Sequence, residues 1–176
     1  MQDKLDLRGS EHCRVLSEQM LREEDHNVDI VNRVLPTISI PDYGNIVEYG
    51  CWRGTVLDSL NHVYRDSIQR GARKVIGYDC DNWMNHPQII KTDVRHLSGM
   101  IPAQNFTIAL AWNDCDDWPN SPLSKMAAMD HALNNMVRGG VYIDHKRGCP
   151  DFILSHPNLS IVEETEYLYF FRYGTK

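Results

Sequence analysis

The chain has 176 residues, of which 42% are hydrophobic, and a formal net charge of −6. This length suits one domain with its own core, and the acidic balance argues against a nucleic-acid partner, which usually meets a basic face. No run of about 18 apolar residues occurs, and the first ten residues are polar and charged, so neither a membrane span nor a secretory signal peptide is predicted.

Residues 11–35 are predicted to be helical. Apolar residues recur at helical spacing between residues 11 and 35, until Pro36 interrupts the pattern. The charged stretch 22–26 leaves open whether this segment is one helix or two. Residues 1–40 are therefore interpreted as an N-terminal helical segment that serves as a lid or cap, and residues 41–176 as a core domain.

From Ile46 onward, short apolar runs alternate with helical patterns. Strands are predicted at residues 46–48, 74–78, 89–91, 106–112 and 141–143, helices at 55–69 and 124–136, and two further strands at 160–163 and 166–173. The last two strands are joined too closely for a crossover and must be antiparallel. The predicted fold class is therefore α/β: a Rossmann-like, mostly parallel sheet with an antiparallel C-terminal pair and helices on both faces.

The junction between the first strand and the first core helix is the most informative motif. Glu48 ends the strand, and Gly50 and Gly54 follow before the helical pattern starts. Such a glycine turn lets the backbone approach a ligand, and the helix start offers free N–H groups. A carboxylate here would repel a pyrophosphate, so a cationic or neutral cofactor is favoured.

Polar residues also follow later strands. Asp79 ends the second strand, Thr92 and Asp93 follow the third, and Gly139-Gly140 precede the fifth. With Glu-x-Gly-x-x-x-Gly, this series resembles the class I S-adenosylmethionine-dependent methyltransferases over roughly residues 44–173. The resemblance implies the following cofactor-binding residues: Glu48, Tyr49, Gly50, Trp52, Gly54, Asp79, Cys80, Thr92, Asp93 and Asn113.

Within that family Trp52 is a departure, since it replaces a central glycine of the loop. The variant loop is similar to that of macrocin-type sugar O-methyltransferases. Charge supports the wider resemblance independently, because a sulfonium cofactor is attracted by carboxylates and a ribose diol donates well to an aspartate such as Asp79.

An acidic cluster follows the fourth strand, and Asp144-His145 end the fifth. The resemblance to metal-dependent O-methyltransferases implies a site for Mg²⁺ or another divalent cation at Asp114, Asp116 and Asp144. His145 stands in place of the usual oxygen ligand and would favour a softer metal. The alternative is a solvated acidic loop whose aspartates serve turns.

Catalytic roles are predicted for His145, Asp144 and Asp116. Without a metal, His145 is placed to take the proton from an acceptor hydroxyl during methyl transfer. The expected reaction is therefore methyl transfer from S-adenosylmethionine to a small molecule, at a hydroxyl oxygen, with or without assistance from a metal.

Two other functions stay open. A nicotinamide-dependent oxidoreductase is disfavoured by Glu48 and by the absence of Gly-x-Gly-x-x-Gly spacing. A non-catalytic module of the same fold would bind S-adenosylmethionine or a partner without turnover. The five scattered cysteines, with no Cys-x-x-Cys pair, suit a reducing cytoplasm. The absence of a large substrate domain suggests a homo-oligomer.

Overall fold

The computed structural model of the protein describes residues 22, 24–80, 85–99, 105–111, 121–146 and 149–174. Residues 24–33 form a helix, α1, and a 3₁₀ turn follows at Leu35–Thr37. The other helices are α2 (Thr55–Val63), α3 (Arg65–Gln69), α4 (Ser121–Asn135), α5 (Asp151–Leu154) and a second 3₁₀ helix at Val94–Gly99. The strands are β1 (Asn45–Tyr49), β2 (Val75–Asp79), β3 (Ile89–Lys91), β4 (Phe106–Leu110), β5 (Met136–His145), β6 (Leu159–Glu164) and β7 (Leu168–Tyr173).

These strands form one seven-stranded sheet in the order β3-β2-β1-β4-β5-β7-β6. Strands β1 to β5 are parallel to one another, whereas β7 is antiparallel to both β5 and β6. The predicted fold class is confirmed. Within the described residues, no helix combines the length and apolarity that a bilayer span needs.

The predicted boundary between helix and strand at Gly139-Gly140 is wrong. Strand β5 begins at Met136, directly after α4, and the two glycines lie inside it. Gly139 has a φ of +85°, and a Cβ on Gly140 would lie 3.2 Å from the Thr107 carbonyl oxygen. The register against β4 shifts at the same level, so the glycines permit an irregular strand rather than a turn.

The sheet separates two apolar clusters, because successive strand residues point to opposite faces. In β1, Ile46 joins the cluster beneath α1 and α2, while Val47 and Tyr49 join the cluster beneath α4. In β5, Ile143 belongs to the α1 face and Tyr142 to the α4 face. Helices therefore cover both faces of the sheet, as the sequence predicts.

The N-terminal helix crosses one whole face of the sheet. Its residues Ile30 and Val31, and then Leu35, are buried in the cluster beneath α1 and α2. The chain then reaches the edge where the parallel strands begin, since the Ser39 carbonyl accepts a hydrogen bond from Arg172 on β7. The other end of the described helix lies at the opposite edge, where the parallel strands end, because Glu24 pairs with Arg53 after β1.

Arg73 holds the edge at which the parallel strands begin. Its guanidinium is buried and donates hydrogen bonds to the Pro41 carbonyl, to the Gly44 carbonyl at 3.3 Å and to the Thr107 hydroxyl at 2.6 Å. It also lies over the ring of Tyr64, 5.0 Å from the centroid. One side chain thus connects the segment before β1 with α2, β2 and β4.

Replacing Arg73 by methionine should lower the free energy of unfolding by about 2–4 kcal/mol, because buried acceptors lose their donor. Urea denaturation of the variant measures this loss. Arg70→Ala, at an exposed position close by, should change it by less than about 0.5 kcal/mol. Equal effects of the two substitutions would contradict the role of Arg73.

Candidate functional site

The candidate site lies at the carboxyl end of β1. The chain runs from β1 through β2 to β3 on one side of β1 and then returns to β4 on the other side, so the strand order reverses between β1 and β4. In open α/β sheets, ligands bind in the crevice at such a switch point. The glycine loop predicted from the sequence leaves β1 at this point.

Three residues of the loop have left-handed backbone conformations. Their φ values are +76° at Gly50, +46° at Trp52 and +84° at Gly54. Only Trp52 carries a side chain there, and a left-handed conformation costs a non-glycine residue about 1–2 kcal/mol. Such strain persists only where surrounding contacts hold it, and it is common at ligand sites.

Asp79 supplies the contact that holds the loop. Its Oδ2 accepts a hydrogen bond from the Trp52 backbone N–H at 2.7 Å. The Gly50 N–H donates to the Tyr78 carbonyl at 2.8 Å. The Asp79 carboxylate, which the resemblance assigns to a ribose, therefore fixes the strained residue of the loop.

The Cys51 side chain packs between the loop and Gly77 of β2. A Cβ on Gly77 would lie 2.5 Å from its Sγ, so the strand beneath has no room for a larger residue. The thiol donates to the Glu48 carbonyl at 3.2 Å. Burial raises the pKa of this thiol, with the carboxylates of Glu48 and Asp79 adding to the effect. Cys51 therefore remains a neutral thiol and serves packing.

His86 packs directly on the last glycine of the loop. A Cβ on Gly54 would lie 2.6 Å from the His86 ring, and the ring Nε2 lies 3.2 Å from Asp58 Oδ1 on α2. Sequence reasoning missed His86, because it follows β2 in a stretch that has no motif of its own. The contact explains why position 54 requires glycine for space as well as for φ.

Gly54→Ala should therefore cost more than backbone strain alone. Gly71 also has a positive φ, of +72°, yet its Cβ would meet nothing within 4 Å. We expect Gly71→Ala to lower the free energy of unfolding by about 1 kcal/mol and Gly54→Ala by about 2 kcal/mol or more. Urea denaturation compares the two.

A double variant isolates the steric part of this effect. His86→Ala removes the ring, so Gly54→Ala should be less costly in that background than in the wild type. Equal costs of Gly54→Ala in the two backgrounds would contradict the steric explanation.

The N-terminal helix is tied to the glycine loop by an ion pair. Arg53 Nη2 lies 2.8 Å from Glu24 Oε2, and Arg53 Nε lies 3.1 Å from the same oxygen. Glu24 is 7% exposed, and the guanidinium also lies over the Trp52 ring, 4.9 Å from its centroid. The Glu24 end of α1 therefore lies beside the loop, on the face of the sheet toward which Glu48 also points.

Tyr49, predicted to bind cofactor, points to the opposite face. Its hydroxyl lies 2.8 Å from His131 Nδ1, beneath α4, and its ring stacks on Tyr78 at 6.0 Å between centroids. Burial raises the pKa of Tyr49 well above its ordinary value and lowers the pKa of His131. Tyr49 and His131 therefore form a neutral pair on the α4 face of the sheet. Tyr49 is 3% exposed.

The lowered pKa of His131 predicts a loss of stability in acid. Below about pH 6.5 the unfolded chain binds a proton at this imidazole that the native state resists. The free energy of unfolding should therefore fall as the pH falls through this range, by at most about 1.4 kcal/mol per pH unit from this group. His131→Phe should reduce that slope, whereas replacing the exposed His62 by glutamine should not. Unfolding in urea between pH 7.5 and 5 measures both slopes.

Thr92 and Asp93 follow β3 at the same edge of the sheet. The Thr92 N–H donates to the Asp79 carbonyl at 2.7 Å. Both Asp93 oxygens accept hydrogen bonds from Arg95, and this side-chain contact is the main reason that the pKa of Asp93 falls to about 2. Asp93 is therefore ionised and engaged by Arg95, and Cys80 beside Asp79 is exposed.

The end of β5 carries Asp144 and His145. Asp144 is fully buried, and its Oδ1 accepts hydrogen bonds from Lys125 Nζ at 3.3 Å and from the His145 N–H at 2.8 Å. His145 pairs with Leu168 across the β5–β7 ladder, and Leu168 belongs to the α1 face. His145 and Glu48 therefore lie on the same face, whereas Asp144 points toward α4.

The metal hypothesis depends on residues outside the described part of the chain. Asn113, Asp114 and Asp116 lie there, as does Trp83, so the acidic cluster after β4 stays a prediction. Among the described residues, no group of three or more histidine, cysteine, aspartate or glutamate side chains suits a metal ion. Lys125, which sequence reasoning missed, pairs with Asp144. This pairing makes Asp144 a poor metal ligand, because a metal cation would compete with the ammonium group of Lys125.

Several solved methyltransferase structures are similar to this chain. The chain is similar to an rRNA methylase from Streptococcus thermophilus, with a TM-score of 0.55 and 10% identity over 86% of this chain and 94% of that one. It is also similar to the N-methyltransferase NodS from Bradyrhizobium japonicum in complex with S-adenosylhomocysteine, with a TM-score of 0.56 and 14% identity over 86% of each chain. The chain has the class I methyltransferase fold.

The fold extends to larger enzymes as well. The methyltransferase MycE of the mycinamycin biosynthetic pathway, in complex with Mg, S-adenosylhomocysteine and mycinamycin VI, matches with a TM-score of 0.54 and 13% identity over 87% of this chain. This chain spans 48% of MycE and 48% of TrmN from Thermus thermophilus. No protein-family model matches the sequence, and neither does any curated protein.

Proposed function

We propose that the protein transfers a methyl group from S-adenosylmethionine to a small molecule, at a hydroxyl oxygen. The observation that carries the proposal is the strained glycine loop at the switch point, held by Asp79 through the Trp52 N–H at 2.7 Å. Glu48 and Asp79 lie at the ends of the paired strands β1 and β2, so the side chains beside the loop carry negative formal charge. A sulfonium cofactor suits that charge, whereas a dinucleotide does not.

The residues present fit this cofactor. Gly50 and Gly54 let the loop backbone come close to a ligand, and Asp79 stands where a ribose diol would meet a carboxylate. Thr92 and Asp93, after β3, extend the same edge toward an adenine. When bound, S-adenosylmethionine supplies a methyl group on a positively charged sulfur.

His145 is the proposed general base. Its position on the α1 face at the end of β5 puts it across β4 from Glu48, on the side that helix α1 covers. An imidazole there accepts the proton of the acceptor hydroxyl as that oxygen becomes methylated. Asp144 fixes the backbone of His145, whose N–H donates to Asp144 Oδ1 at 2.8 Å. Most of the catalysis would come from positioning two reactants out of water.

A small-molecule acceptor is favoured over nucleic acid by charge. The net charge of −6 opposes a polyanionic partner, and MycE binds mycinamycin VI with the same fold. An rRNA methylase also has this fold, so a structured RNA belongs in the substrate panel. A non-catalytic module of the same fold, which would bind S-adenosylmethionine or a partner without turnover, is the remaining alternative.

Cofactor binding is tested first by calorimetric titration. The wild type should bind S-adenosylhomocysteine with micromolar affinity and should not bind NAD. Asp79→Asn should weaken that binding at least about tenfold, since a charge-assisted hydrogen bond is worth about 1.5–3 kcal/mol. The matched control is Asp66→Asn, on the exposed surface of α3. Binding of NAD but not of S-adenosylhomocysteine would refute the proposed cofactor.

Turnover is tested with hydroxylated small molecules and with RNA, each in Mg²⁺ and in EDTA. His145→Gln should lower kcat about 10²-fold or more and remove the acidic limb of the pH profile. Activity that persists in EDTA would separate this enzyme from the metal-dependent methyltransferases. An unchanged pH profile in His145→Gln would exclude His145 as the base.

A further inference from the structure

The buried stripe of helix α1 changes from apolar to polar along its length. Val31 and Leu35, four residues apart, are completely buried in the core beneath the helix. Going toward the N-terminus, the same stripe continues through Asn27, which is 2% exposed, and Glu24, which is 7% exposed. An amide and a carboxylate therefore occupy positions where an apolar residue would pack.

Glu24 pairs with Arg53, and this pair shows where the polar part of the buried stripe lies relative to the sheet. The Glu24 carboxylate binds Arg53 of the glycine loop at 2.8 Å, so this end of α1 lies at the carboxyl edge of the sheet. Asn27 comes three residues later, about 4.5 Å further along the helix axis. It therefore lies beside the loop, on the face of the sheet that also carries Glu48 and His145.

Asn27 differs from Glu24 in having no partner for its amide oxygen within the described part of the chain. Its Oδ1 is buried, and no described residue donates a hydrogen bond to it. Burying such an acceptor without a donor is destabilising, and leucine would be the better residue for stability alone. A ligand that brings the donor would account for asparagine at this position.

We propose that Asn27 Oδ1 accepts a hydrogen bond from the ammonium group at the amino-acid end of bound S-adenosylmethionine, which makes α1 part of the cofactor site. The inference rests on the proposed function. The orientation of the cofactor follows from the sheet. Asp79 on β2 marks the ribose end, so the amino-acid end of the cofactor extends past β1 toward β4. Asn27 lies on that side of the loop, because the ring of the preceding His26 lies 5.0 Å from the ring of Tyr167, just before β7. The buried Glu48 on the same face favours a cation there.

The test compares two probes that differ only at the amino-acid end. Purified wild type and Asn27→Leu are titrated with S-adenosylhomocysteine and with 5′-methylthioadenosine, which has no ammonium group. Asn27→Leu should weaken S-adenosylhomocysteine binding about tenfold and leave methylthioadenosine binding unchanged. Asn32→Leu, an exposed asparagine of the same helix, should change neither affinity.

The thermal midpoint of the unliganded protein provides a second readout. Asn27→Leu should unfold at the same temperature as the wild type or higher, because it completes the apolar stripe. A weaker ligand affinity in a protein of equal or greater stability is a result that a merely structural asparagine would not produce. A second variant, Asn27→Asp, keeps an oxygen in place, so it should retain S-adenosylhomocysteine affinity within about threefold or increase it.

Failure of this inference is distinct from failure of the proposed function. If the wild type binds neither probe, the proposed function fails and the inference fails with it. If the wild type binds S-adenosylhomocysteine and Asn27→Leu binds it equally well, Asn27 does not contact the cofactor although the proposed function stands. Equal weakening of both probes, or a large loss in Asn27→Asp, would also overturn the inference.

Discussion

The hydrogen bond from the Trp52 N–H to Asp79 Oδ2 links the two strand ends on which the site depends. Trp52 stands in a conformation that disfavours any side chain, and the flanking glycines provide no stiffness of their own. The Asp79 carboxylate therefore holds the loop at the spacing set by the β1–β2 pair. A carboxylate that organises its own loop is pre-organised for a ligand, since no further ordering is required when the ligand arrives.

The two faces of the sheet have different roles: one supports the loop and the other carries the candidate site. On the α4 face, Tyr49, His131 and Tyr142 form a buried and largely uncharged support. On the α1 face, Glu48 and His145 lie at the strand ends near the loop, on the side of the sheet that α1 covers. This division follows from the alternation of side chains along a strand, which sends neighbouring residues such as Asp144 and His145 to opposite faces.

Much of this arrangement could be predicted from the sequence because it depends on local pattern. Alternating apolar runs and helical spacing predicted the fold class, and the two loop glycines predicted the sharp turn after β1. The boundary at Gly139-Gly140 was wrong because glycine permits a strand irregularity as readily as a turn, and only pairing with β4 decides between them. The roles of His86 and Lys125 could not be predicted, since each depends on a contact between segments far apart in the chain.

The path of helix α1 has a consequence for how the chain can be shortened. Residues 24–35 contribute Ile30, Val31 and Leu35 to the same cluster as the central strands. A chain cut at residue 41 would expose one apolar face of the sheet to water and would be prone to self-association. Residues 24–35 are therefore structurally inseparable from the sheet, even though the strands and the loop all follow them in the sequence.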